Sequence, residues 1–115
     1  MENVDLENLR KYITMYRDQT NFRLYNGYVS LDISNTYNKI KEIVLRNPDN
    51  RQIILESIVV DGSFLKYASE RLRRDRTIVT LAMSNNLDAA QYVDDVDLLE
   101  QVKKDINFDA YSKQR

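Results

Sequence analysis

Two charged clusters hold the side chains best suited to chemistry: Arg71, Arg73, Arg74 and Arg76, and then Asp94, Asp95, Asp97 and Glu100. Guanidinium groups fork onto phosphate and carboxylate, so the first cluster is a candidate contact for an anionic partner. At about 100° per residue, Arg71 and Arg74 share one side of a helix while Arg73 points nearly opposite Arg71. Leu72 between them belongs in a core, so the four do not form one patch. Cations at a helix C-terminus also stabilise the helix dipole without any ligand, and a solvated helix end is the reading we favour. The acidic cluster offers a divalent-cation site or an imitation of a phosphate backbone. Asp95-Val96-Asp97 supplies only the first ligand pair of a calcium loop, which also needs a central Gly and a terminal Glu. Acids in a first helical turn are the ordinary capping arrangement, and that reading takes precedence here. Glycoside hydrolysis needs two carboxylates facing across a cleft, and no spacing in the chain indicates one.

Other chemistries are closed by absence. The 115 residues include no Cys, His or Trp, two Gly and one Pro. Thiolate metal sites, disulfides, Cys nucleophiles, His general bases and glycine-rich phosphate loops are therefore excluded, and we expect no enzyme, no metal and no cofactor. With 17 basic and 18 acidic side chains the net charge is -1, lacking the basic excess of a general nucleic-acid binder. The charge is uneven: from Thr77 to Val102 there is no Lys or Arg, while Asp88 joins the four acids named above. The first residues have neither a basic nor an apolar segment of a secretory signal, which favours a cytoplasmic location in a bacterium or an infected host cell. Hydrophobic residues make up 43% and charged residues 30%, a globular balance with no apolar run of membrane-spanning length.

The elements that must position these groups follow from apolar spacing. Leu6, Leu9, Ile13 and Tyr16 recur at intervals of three and four, predicting an amphipathic helix from about Asp5 to Asp18 with Asn3 or Asp5 as its cap. Asn26-Gly27 between alternating apolar residues predicts either a short β-hairpin over 22–33 or a helix stop and loop. Ser34 is a candidate cap for a helix whose face is Tyr37, Ile40 and Val44. Pro48 suits the first turn of a new helix, with Asn47 as its cap and Asp61-Gly62 as its stop. A further helix over 63–73 puts Phe64, Leu65, Ala68 and Leu72 on one side. Asp75 caps the next helix, a short turn follows at 88–93, and Asp94 or Asp95 opens the last helix.

An offset of 25 residues reveals a weak repeat. Asn50-Arg51-Gln52-Ile53-Ile54 aligns with Asp75-Arg76-Thr77-Ile78-Val79, Ser57-Ile58 with Ala82-Met83, and Tyr67 with Tyr92. Small positions meet small ones and apolar positions meet apolar ones, as in stacked helical hairpins that cannot bury their faces alone. Ile54, Ile58, Leu65, Ala68, Leu72, Val79, Ala82 and Met83 are the expected core. The eight tyrosines, Tyr12 and Tyr16 one turn apart among them, suit core and half-buried positions better than one exposed face.

The run Asp61-Gly62-Ser63-Phe64-Leu65-Lys66-Tyr67-Ala68-Ser69-Glu70-Arg71-Leu72-Arg73-Arg74-Asp75, followed by Ile78-Val79 and Ala82, resembles a repeat family of bacterial and protist proteins, domain-of-unknown-function family 4116. Units of that family look like D-G-x-x-L-x-x-A-S-x-x-L-x-x-D-x-x-I-V-x-x-A. The resemblance spans about Asn47 to Val93 and implies tandem helical hairpins without established catalytic residues. The second unit carries Asn86-Leu87 where the family has a Gly-containing turn, which leaves the number of repeats open. The expected architecture is one mainly α domain of stacked helical hairpins: a helical region over 1–46, two repeat units over 47–93, and a C-terminal helix and tail over 94–115. Its expected role is a non-catalytic protein-interaction module. The alternative is a small inhibitor, for example phage-encoded, whose acidic face blocks a cationic nucleic-acid site on a host protein. The expected partner is another protein, not nucleic acid or a membrane.

Overall fold

The computed structural model describes residues 2–26 and 31–106. Two long helices, α1 (Glu2–Asn26) and α2 (Leu31–Arg46), precede the repeats. Asp5 near the start of α1 accepts hydrogen bonds from Arg46 and Asn47 at the end of α2, so the two helices run antiparallel. Their facing sides bury Leu9 and Ile13 against Ile40, Ile43 and Val44. The first repeat unit is α3 (Arg51–Val60) and a 3-10 segment, Gly62–Tyr67. A single turn, α4 (Glu70–Arg73), leads to the second unit, α5 (Arg76–Asn85) and a 3-10 segment over Leu87–Tyr92. The last helix is α6 (Val96–Asp105). Among the described residues there is no strand, and no helix is long and apolar enough to cross a membrane.

The repeat is real in three dimensions. Asn50 and Asp75 each cap a helix by accepting from the N–H three residues on, Ile53 and Ile78. Asp61 and Asn86 each close that helix and open the 3-10 segment, accepting from the N–H of Ser63 and Asp88. Ile53, Ile54, Ser57 and Ile58 are buried in the first unit; Ile78, Val79, Ala82 and Met83 are buried at the same positions of the second. All eight expected core residues are buried. Helices α3 and α5 lie parallel, because Arg51 reaches Asp75 at one end while Asn85 reaches Val59 and Gly62 at the other. Helix α6 turns back antiparallel to α5, its Asp105 and Gln101 meeting Arg76.

Gly62 shows why the two units differ. A Cβ there would collide with the backbone carbonyl of Ala82, so the first unit admits only glycine at this contact with α5. The matching residue, Leu87, is half in solvent, and among the described residues no third parallel helix packs behind it. The departure from the family pattern falls where the antiparallel α6, not a parallel repeat helix, follows the second unit.

Several local expectations are corrected. Phe22–Asn26 continue α1 and Leu31–Ile33 begin α2, so a β-hairpin over 22–33 is not formed; Gly27–Ser30 lie outside the described residues. Two strands alone bury little, whereas each residue added to an existing helix gains a backbone hydrogen bond. For the same reason Ser34 lies inside α2 and Asp5 inside α1, neither acting as a cap. Asn47 does not cap α3: its amide donates to the Ile43 carbonyl and to Asp5, and Asn50 takes the cap. The helix expected over 63–73 is broken at Ala68-Ser69, where the Ser69 N–H donates to the Pro48 carbonyl and its hydroxyl to Asp49.

Candidate functional site

The arginine run is dispersed onto four separate acids. Arg71 pairs with Asp49 at 3.0 Å, Arg73 with Asp94 at 3.6 Å, Arg74 with Glu70 at 2.9 Å and Arg76 with Asp105 at 2.7 Å. The acidic cluster is dispersed in the same way. Asp94 meets Arg73, Asp95 caps α6 through the Leu98 N–H, and Glu100 pairs with Lys103. Asp97 stays exposed in the first turn of α6. Neither cluster forms a single face, and the two touch each other at Arg73 and Asp94. Among the described residues, no three acids gather closely enough to hold a metal ion.

Instead, an aromatic series runs from α1 across α2 to the repeats. Tyr16 tilts against Tyr37 at 5.9 Å between ring centroids, Tyr37 stacks on Phe64 at 5.1 Å, and Phe64 tilts against Tyr67 at 6.1 Å. Such offset contacts match the ring quadrupoles and fix each ring relative to the next. The series is anchored at Tyr37, whose hydroxyl donates to Asp61 Oδ2 at 2.8 Å. Burial works to raise the Asp61 carboxyl, yet hydrogen bonds from Ser63, Tyr37 and Asn86 outweigh it and hold the group below the usual carboxylate range. Burial, together with the facing carboxylate, pushes the Tyr37 phenol far up, so it stays protonated as the donor.

At its outer end the series meets two lysines. Lys41 of α2 lies 5.5 Å from the Tyr67 ring centroid and Lys66 lies 5.1 Å from it, with Lys66 also 6.0 Å from Tyr92. Neither lysine forms an ion pair among the described residues, in contrast to Arg71, Arg73, Arg74 and Arg76. Sequence reading noted Tyr67 and Tyr92 as equivalent positions and missed the cations. The adjacency Lys66-Tyr67, repeated as Gln91-Tyr92, was the available signal; Lys41 is brought in only by the packing of α2 on the first 3-10 segment.

These features define a class: a short stack of helix-plus-3-10 repeat units buttressed by a helical hairpin. Residues 50–98 match the family described as Domain of unknown function (DUF4116), a stretch that takes in both repeat units and the start of α6. No curated protein matches the chain, and no solved structure does.

Proposed function

We propose that the chain is a non-catalytic module that binds another protein through a broad face of its helical stack. The observation that carries this reading is shape. The fold measures 39 × 38 × 16 Å, and its radius of gyration of 15.4 Å exceeds the roughly 13 Å of a rounder chain near this length. A flat repeat stack offers extended surface, the feature such arrays use for binding without a deep pocket. The acidic-face inhibitor is the second reading. It ranks lower because Asp94, Asp95 and Glu100 each have a partner or capping role within the chain.

The two readings part on salt. With a partner isolated from the native host, association is measured against ionic strength for the native chain and for a variant carrying Asn or Gln at 94, 95, 97 and 100. A packing-type module keeps its affinity, because rim charges contribute little. A steep salt dependence abolished by the four substitutions would favour the acidic mimic.

A further inference from the structure

We propose that Lys41, Lys66, Tyr67 and Tyr92 form the recognition surface for an acidic peptide segment of the partner, an inference that rests on the interaction-module reading above. Arginines 10, 46, 51, 71, 73, 74 and 76 are all matched to acids within the chain. Among the described residues Lys41 of α2 and Lys66 of the first 3-10 segment form no ion pair, and the fold directs both at one tyrosine ring.

That arrangement suits carboxylates. A ring face attracts an ammonium without satisfying its three donors, so each lysine is held in place with hydrogen bonds still to give. The ring is itself fixed through Phe64 and Tyr37 to Asp61, so little ordering remains to be done on binding. The shared ring keeps both ammoniums within reach of one extended segment, whose alternate side chains project from the same face roughly 6.5 Å apart. The four residues come from α2 and from both 3-10 segments, so the surface exists only in the assembled fold. Nucleic acid fits less well. Base stacking needs free ring faces, and here both tyrosines are half-buried with ammoniums over them.

The test is an NMR titration of the full chain with a synthetic peptide of alternating Glu and Gly, its Gln-Gly counterpart, and oligouridine. The acidic peptide is expected to shift Lys41, Lys66, Tyr67 and Tyr92, to weaken with salt, and to lose at least about tenfold in affinity with Lys41→Gln and Lys66→Gln combined. Lys66 is exposed and Lys41 half-buried, and circular dichroism verifies that the double variant stays folded. Equal binding of the Gln peptide, shifts confined elsewhere, or tighter binding of oligouridine at these residues would overturn the proposal. A host partner retained unchanged by the double variant would overturn this surface and leave the module reading standing. A native chain that holds no macromolecule would overturn both.

Discussion

Gly62→Ala is the sharpest probe of how the two units lock together. The added methyl would collide with the Ala82 carbonyl and press on the Ala82 carbonyl carbon and Asn86 Cβ, both 3.2 Å away. These are backbone or backbone-proximal atoms of the neighbouring unit, so no side-chain rotation relieves the clash. Helix α5 must move off the first 3-10 segment. Overpacking of this kind costs about 1–3 kcal/mol. The displacement also strains the clamp in which Asn85 accepts from the Gly62 N–H at 2.7 Å and donates to the Val59 carbonyl at 3.1 Å. Losing one such bond adds about 1 kcal/mol, for a total near 2–4 kcal/mol. In a domain of this size, thermal unfolding followed by far-UV circular dichroism should show a midpoint lower by about 10 °C. Leu87→Ala at the matching position faces solvent and should cost under about 1 kcal/mol. A Gly62→Ala variant as stable as the native chain, or a Leu87→Ala variant equally destabilised, would refute the steric account.

Other perturbations read the core and the buried acid. Ile58→Ala removes a fully buried side chain from the first unit and should cost about 2–5 kcal/mol in denaturant unfolding. Tyr37→Phe keeps the ring stack but deletes the donor to Asp61, and should cost about 1–3 kcal/mol, less at acid pH. The carboxyls of Asp5, Asp49, Glu56, Asp61 and Asp75 all lie below their ordinary values in the fold, so on acidification the unfolded chain takes up protons first. Their stabilising contribution is full above the ordinary carboxylate range and is lost as pH falls through the folded values. With no His, stability should stay level between about pH 5 and 8 and drop below about pH 4.5; a transition near neutrality would contradict this.

What was legible in the sequence followed from side-chain size at fixed offsets. The pairs Ile54/Val79 and Ile58/Met83 share burial because each occupies the same place in its unit, and Asp75 reads as a cap from its own neighbours. The first 3-10 segment was hidden, while the second falls at the short turn expected over 88–93. Over six residues, periods of 3 and 3.6 put Phe64 and Leu65 on the same side, and the break at Ser69 depends on Pro48 and Asp49, some 20 residues away. The Asn47 cap failed for a similar reason, since Asp5 of α1 competes for its amide. The capping reading of the acids holds at Asp95, but some partners of the charged groups were not legible because they are distant: Arg76 meets Asp105, and the bidentate pair of Arg10 with Glu56 spans 46 positions. Lys41 carries no local mark of its meeting with Tyr67.

Hydrogen–deuterium exchange on the native chain, free and bound to a partner captured from its host, tests the central claim most directly. An interaction module working through its repeat face should gain protection over 62–67 and 87–92 and around Lys41, with the C-terminal acids little changed. Protection confined to residues 94–100, with exchange over the two 3-10 segments unaltered, would contradict it.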